Sequence, residues 1–242
     1  PTVLVDLHYD QGDLFVHLDL TPKVSLRDIG DPPEQIDDTL IESVTTTHPS
    51  GLHLLLQPQD VHHTPLSHRA IEKILEILER KYSYVILDIG HNVAVAESLV
   101  TCADAFYLVT VQTLPSLFLA SQRIRLLNEL GYEAKRTNVI VNKYVKTSRV
   151  GVDRVSKTLR VPRPFTIRND EKRAIASINR GIPLAEISRM GKAARDIGKL
   201  ASAIRKIEPL LEIPMHEESA IPMRSPRDGT LMDDVEAYAV RR

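Results

Sequence analysis

Three polar side chains each stand at the end of an apolar run in this sequence. Asp6 ends TVLVD, Asp88 ends YVILD, and Asn142 ends VIVN and is followed by Lys143. Runs without a polar face are typical of parallel strands that are covered on both sides. Because ligands of open α/β sheets bind at the carboxyl ends of the strands, we expect these side chains to meet at one edge of the sheet.

Two carboxylates and an amide at one edge suit a nucleotide that is bound with magnesium. Carboxylates hold Mg²⁺ directly or through water, close to the phosphates. A simpler role for Asp88 is to cap the helix that follows it. From these residues alone, both roles stay open.

The elements that position these groups alternate along the chain, which predicts a doubly wound, mainly parallel α/β sheet. The clearest helix spans residues 67–81, where apolar side chains recur at helical spacing. Further strands are predicted at 52–56, 105–111 and 164–167, and further helices at 37–46, 94–101, 116–131, 152–158, 170–179 and 191–207. We predict one domain over residues 1–208 and a flexible tail over 209–242, in which 231–238 could form a short helix.

Composition excludes several classes of protein. The 242 residues include 31 basic and 32 acidic side chains, giving a net charge of −1, so a strongly basic nucleic-acid binder is not indicated. The single Cys102 excludes intrachain disulfides and CxxC sites. No apolar run is long enough to cross a membrane and no signal peptide is present, which predicts a cytoplasmic protein without a transmembrane segment.

A phosphate-binding loop is missing from the sequence. No GxxxxGK[ST] motif occurs, and the pairs Gly191-Lys192 and Gly198-Lys199 lie inside a helical pattern without a following Ser or Thr. We therefore expect the chain to be an incomplete piece, with the phosphate loop upstream of Pro1.

Longer motifs point to a family. The run VLVDLHYDQGDLFVHLDLTP resembles the segment after the deviant Walker A helix of ParA/MinD-type ATPases. The resemblance continues in collinear order over about residues 2–208 and looks like the CpaE/TadZ pilus-assembly branch. The motifs that carry it are DDTLIESVTTTHPSGLHLLLQP, YSYVILDIGHN, VTVQTLPSLFLASQRIRLLNELGY, VIVNKY and FTIRNDEKRAIASINRGIPLAE.

The resemblance implies a P-loop NTPase fold that lacks its first, central strand, with the Asp6 and Asp88 strands on either side of the gap. We expect that gap to leave strand edges unpaired and to favour dimerisation. By resemblance, Asp6 and Asp88 are the catalytic acids, and Asp88 also orders the magnesium shell. Asn142 would read the adenine edge, and a loop would close over the base. That loop comprises Thr166, Ile167, Arg168, Asn169 and Asp170.

The implied function is an ATP-dependent assembly or localisation factor for type IVc (Flp/Tad) pili. Relatives bind ATP and Mg²⁺ between the two subunits of a homodimer. The expected partners are pilus-assembly or secretion-machine components, at a cell pole or peripheral to the inner-membrane pilus machine.

Two alternatives stay open, and so does whether the protein is an active ATPase. His8 stands where relatives carry a second acid, which would suit a catalytically decayed, nucleotide-independent adaptor. Another hypothesis about His8 is that it is an exposed loop residue without a role. A ParA-like DNA or cargo segregation ATPase is the second alternative, although the near-zero charge does not favour DNA as a partner.

Overall fold

The computed structural model describes residues 1–9, 12–30, 32–57, 66–207 and 236–241. Its strands are β1 (Thr2–Asp6), β2 (Thr46–Thr47), β3 (His53–Leu55), β4 (Tyr84–Gly90), β5 (Ala105–Thr110), β6 (Thr137–Tyr144), β7 (Phe165–Arg168) and β8 (Glu236–Arg241). Its α-helices are α1 (Leu14–His17), α2 (Asp38–Val44), α3 (His68–Lys81), α4 (Val93–Leu99), α5 (Leu114–Glu129), α6 (Val152–Leu159), α7 (Glu171–Ile178), α8 (Leu184–Ile187) and α9 (Lys192–Ile204).

One eight-stranded sheet runs through the molecule in the order β2-β3-β1-β4-β8-β5-β6-β7. Strand β1 pairs in parallel with both β3 and β4, and β6 pairs in parallel with both β5 and β7. Among the strands of the described residues, only β2 and β8 run antiparallel to their neighbours. With helices against the sheet, the predicted doubly wound, mainly parallel α/β fold is confirmed.

The expected gap between the Asp6 and Asp88 strands does not exist. Strand β1 pairs directly with β4, in a register that places Asp6 beside Asp88. The interpretation that these two strands flank a missing strand is therefore wrong. The other edge of β4 pairs with β8, so the inner backbone groups of β4 are satisfied from within this chain.

Strand β8 also corrects the prediction for the end of the sequence. Residues 236–241 lie in the middle of the sheet, between β4 and β5, so this part of the predicted tail is a strand and the predicted helix at 231–238 does not extend over it. Residues 208–235 and 242, the remainder of that region, lie outside the described residues.

The main core lies on one face of the sheet. Inward side chains of β1 and β4, such as Val5 and Leu87, pack there with the apolar side of α3, whose N-cap is Ser67. A smaller cluster on the other face packs β5, β6 and β8 against α9. Within α9, Leu200 and Ile204 pack on the sheet, whereas Ile197 is 37% exposed.

Within the described part of the chain, no helix combines the length and the apolar character that crossing a bilayer requires.

Candidate functional site

The two predicted acids lie side by side at the carboxyl edge of adjacent parallel strands. Asp6 ends β1 and is 1% exposed, and Asp88 lies near the end of β4 and is 8% exposed. The Leu7 main-chain N–H donates to the Asp88 main-chain oxygen at 2.7 Å and joins the two strand ends. The structure therefore brings Asp6 and Asp88 together, as the sequence predicted.

The Asp6 carboxyl is only partly satisfied. Its Oδ1 accepts the main-chain N–H of His8 at 3.1 Å, whereas its Oδ2 is buried and has no hydrogen-bond partner among the described residues. Burial raises the pKa of Asp6 to about 7, the charge of Asp88 adds to the rise, and the hydrogen bond from His8 opposes it. Asp6 is thus a buried carboxyl that titrates near neutrality.

Gln57 is a third polar residue at this site, and sequence reasoning missed it. Its Nε2 donates to the Asp6 main-chain oxygen at 2.7 Å, and its buried Oε1 lacks a partner among the described residues. A Cβ on Gly12 would lie 2.3 Å from Gln57 Cβ, so only glycine allows this close approach. Gln57 follows a short strand without a recognisable motif, and no signal in the sequence singles it out.

Asp88 does not cap a helix. Its Oδ1 accepts the N–H of Gly90 at 3.2 Å, within the irregular last residues of β4. Helix α4 is capped by Asn92, whose Oδ1 accepts the N–H of Val95 at 3.2 Å. The capping role considered for Asp88 is therefore wrong, and its carboxylate stays at the strand end.

His8 is buried rather than exposed in a loop, with 7% of its surface accessible. Its ring lies on Gly90, where φ is +51° and an added Cβ would fall 2.4 Å from His8 Cδ2. The ring also meets His91 edge to face, with 5.0 Å between centroids. The hypothesis of an exposed His8 is wrong, and Gly90 and His91 join the site.

Asn142 lies at the same edge of the sheet but does not converge with the acids. Strands β8 and β5 separate β6 from β4, which places Asn142 about 14 Å from Asp88 at the usual strand spacing. Its Oδ1 accepts the N–H of Lys143 at 2.8 Å within β6, where Lys143 has φ of +48° and the pairing with β7 is irregular. The expectation that all three strand ends meet is therefore only partly met.

Below Asn142, an apolar cavity of about 280 Å³ lies between the sheet and part of α9. Tyr107, Ile140 and Tyr238 line it from the sheet, and Leu200 lines it from the helix. Asn142 contributes one of the few polar groups of this cavity. The acids do not line the cavity, although Ile86 of β4, two residues before Asp88, does.

The segment expected to close over a base is largely part of the sheet. Thr166, Ile167 and Arg168 belong to β7, and Asn169 and Asp170 connect this strand to α7. Asn169 donates its main-chain N–H to the Tyr144 oxygen at 3.0 Å.

The charged members of that segment are held by ion pairs. Arg168 donates to both carboxylate oxygens of Asp196, at 2.7 and 2.8 Å. Asp170 accepts from Arg173 at 3.0 Å.

The acid pair fits a magnesium ion better than the rest of the edge fits a nucleotide. Asp6 and Asp88 supply hard oxygen ligands, and the orphan Asp6 Oδ2 is an acceptor that a cation or its water would satisfy. Among the described residues, however, no three His, Cys, Asp or Glu side chains cluster as a metal site. A glycine-rich cradle for phosphates is likewise not found in the sequence.

Comparisons with solved structures identify the fold. A ParA family ATPase from Chlorobium tepidum TLS superposes with a TM-score of 0.75 at 23% identity, covering 83% of this chain and 85% of that one. The septum site-determining protein MinD from Pyrococcus horikoshii OT3, solved with Mg-ADP, gives 0.64 at 15% identity, with 85% and 83% covered.

A putative plasmid partition protein from Borrelia burgdorferi B31, bound to AMPPNP, gives a TM-score of 0.59 at 15% identity, with 82% and 86% covered. No protein-family model and no curated protein matches the sequence. This chain therefore has the P-loop NTPase fold of the ParA and MinD ATPases.

Proposed function

We propose that this protein is a nucleotide-dependent assembly or localisation factor for type IVc (Flp/Tad) pili, in which ATP and Mg²⁺ drive homodimerisation. The observation that carries the nucleotide part is the buried pair of Asp6 and Asp88, in register on adjacent parallel strands. An unpartnered carboxylate oxygen beside a second carboxylate is an arrangement that a bound cation would stabilise.

Two further observations support this proposal. Neighbours of the same fold were solved with Mg-ADP and with AMPPNP. The collinear motifs that resemble the CpaE/TadZ branch favour pilus-assembly or secretion-machine components as partners over the partners of other ParA and MinD proteins.

In the proposed site, Asp6 and Asp88 would be the catalytic acids, and Asp88 would order the magnesium shell. Asn142 and the segment Thr166–Asp170 would contact the base. Because Asn142 is about 14 Å from Asp88, a bound nucleotide would have to extend along the carboxyl edge past β8 and β5.

A nucleotide-independent adaptor is the second candidate, and His8 is the observation that favours it. The ring of His8 fills the space above Gly90, where relatives resembling this chain carry a carboxylate. Asp6, with a pKa of about 7, is only half ionised near neutral pH. Both features weaken a site that depends on negative charge to hold magnesium.

Nucleotide binding separates the two candidates. Titration of the protein with a fluorescent ATP analogue, with and without Mg²⁺, should give saturable binding that needs the metal. Asp88→Ala should weaken that binding by about tenfold or more, because each lost charge-assisted contact is worth about 1.5–3 kcal/mol. Asp153→Ala, an exposed acid on α6, is the matched control and should bind as wild type does.

Binding that is equal in wild type and Asp88→Ala would contradict the site, and no binding at all would favour the adaptor. The DNA-segregation alternative predicts salt-dependent binding to nonspecific DNA, which the same preparation can test. The pilus role predicts that the protein restores piliation to a strain that lacks its own CpaE/TadZ protein.

A further inference from the structure

Strand β8 is the exception in the middle of the sheet. It lies between β4 and β5 and runs antiparallel to both, whereas β4 and β5 belong to the parallel halves on either side. It therefore fills an inner slot and satisfies the facing backbone edges of two strands at once.

The side chains of β8 fill this slot only partly. Ala237 and Ala239 point into the main core, where an alanine buries little apolar surface. Tyr238 and Val240 point to the other face and border the cavity of about 280 Å³. Backbone hydrogen bonds to β4 and β5 thus stabilise β8 in the sheet more than side-chain packing does.

Specific anchors nevertheless fix the direction and the register of the strand. Arg241 donates from Nε to Glu79 at 2.7 Å and lies 3.4 Å from Asp104. The main-chain N–H of Asp104 donates to the Val240 oxygen at 2.8 Å. The slot therefore recognises an extended segment that enters antiparallel and ends in a basic residue.

The connection to β8 leaves open which molecule supplies the strand. Residues 208–235 join Ile207 to Glu236, and an extended residue spans about 3.3 Å, so this length of chain can reach a neighbouring molecule. Loop-closure entropy grows only slowly with length, so the strand's own sheet is still favoured in dilute solution, and exchange requires a high protein concentration.

We propose that the slot between β4 and β5 is a strand-acceptor site that takes residues 236–241 from a second copy of this chain as well as from its own. The exchanged strand makes the same backbone pairs and the same Arg241 contacts, so the two arrangements differ mainly in entropy, and protein concentration decides between them. This exchange needs no nucleotide and is independent of the function proposed above.

Single cysteines test the exchange, because Ile86 and Val240 are register partners across β4 and β8. In a Cys102→Ser background, one preparation carries Ile86→Cys and the other carries Val240→Cys. After mixing at high concentration and mild oxidation, we expect a species that contains one chain of each variant, seen on a non-reducing gel as a shift from one chain mass to two. Replacing Val240→Cys by Val139→Cys is the matched control, since β6 does not pair with β4.

Light scattering provides a second measurement that does not depend on disulfide geometry between copies. The wild-type mass should shift from one chain to two as protein concentration rises, without nucleotide. The double variant Ile86→Cys/Val240→Cys, once oxidised within one chain, should stay at one chain mass and regain the shift after reduction. A wild type that stays at one chain mass at all concentrations, or a dimer that the lock leaves unchanged, overturns the proposal.

Discussion

The pKa values of two buried acidic residues shift in opposite directions on the two sides of β8: that of Asp6 rises and that of Asp196 falls. On the β4 side, Asp6 faces a second carboxylate and keeps one oxygen unpartnered among the described residues, and burial raises its pKa to about 7. On the β7 side, Asp196 is 9% exposed. Burial opposes its ionisation, but hydrogen bonds from Arg168 outweigh that effect and hold its pKa below the ordinary value.

The difference teaches that burial alone does not decide the state of an acid in this fold. Asp196 is paired with a guanidinium and closes β7 against α9, which is a structural role. Asp6 has only backbone donors and a like charge beside it, which is how binding and catalytic sites hold groups away from their ordinary pKa. Three substitutions probe this comparison.

Gly90→Ala should have the largest effect on the free energy of unfolding, because its added methyl group would clash with the buried His8 ring next to the acid pair. The alanine would adopt a φ of +51° and push its Cβ into the His8 ring. Left-handed strain and overpacking together predict a loss of about 4 kcal/mol in the free energy of unfolding. Urea unfolding followed by circular dichroism measures it.

Gly131→Ala is the control for backbone strain alone, since its φ is +82° and nothing lies within 4 Å of its added Cβ. It should lose only about 1 kcal/mol. Adding His8→Ala to Gly90→Ala should restore the part of the loss that comes from overpacking. Equal losses at Gly90 and Gly131 would contradict the buried position of His8.

The effect of Asp6→Asn on the free energy of unfolding should depend on pH. The folded pKa of Asp6 is about 7 and its ordinary value is 3.8, so the folded state binds the proton more tightly. This contribution is fully present below pH 3.8 and is lost as pH rises through 7. Asn cannot ionise, so the variant does not lose this stability at high pH. Its free energy of unfolding should exceed that of wild type by on the order of 3 kcal/mol at pH 8 and should equal it near pH 4.

Urea unfolding at several pH values measures this gain, and Asp153→Asn, on an exposed acid, should follow wild type throughout. A gain that does not change with pH would mean that Asp6 is ionised in the folded protein at all these pH values.

Asp196→Asn should have the smallest effect and the opposite sign. The amide loses the charge that Arg168 pairs with, and because Arg168 is 38% exposed, we expect a loss of only about 1 kcal/mol at pH 7. The contribution of a carboxylate with a lowered pKa is present above 3.8 and is lost as pH falls through its folded value. Wild type and variant should therefore converge in acid, which thermal melts at pH 7 and pH 3 can measure.

Much of the fold was predictable, because its signals are local. The apolar runs that end in Asp6 and Asp88 form the predicted strands, and the helical spacing within 67–81 gives α3. The edge to which both acids belong follows from parallel pairing. These features need only the neighbouring residues to be recognised.

The rest depends on contacts between distant residues, which the sequence does not display. Residues 236–241 alternate small and large side chains, but nothing nearby indicates that they enter the sheet between β4 and β5. Gln57 reaches Asp6 only after β3 pairs with β1. Arg168 was predicted to close over a base, and its pairing with Asp196 depends on how α9 packs on β7.

The hydrogen bond from Leu7 N–H to the Asp88 oxygen joins the ends of the two strands that carry the acids. The ring of His8, two residues after Asp6, also contacts Gly90, two residues after Asp88. Movement of one strand end relative to the other must therefore break this hydrogen bond. Hydrogen exchange of the Leu7 amide would measure this opening, because the amide can exchange with solvent only when its hydrogen bond to Asp88 is broken.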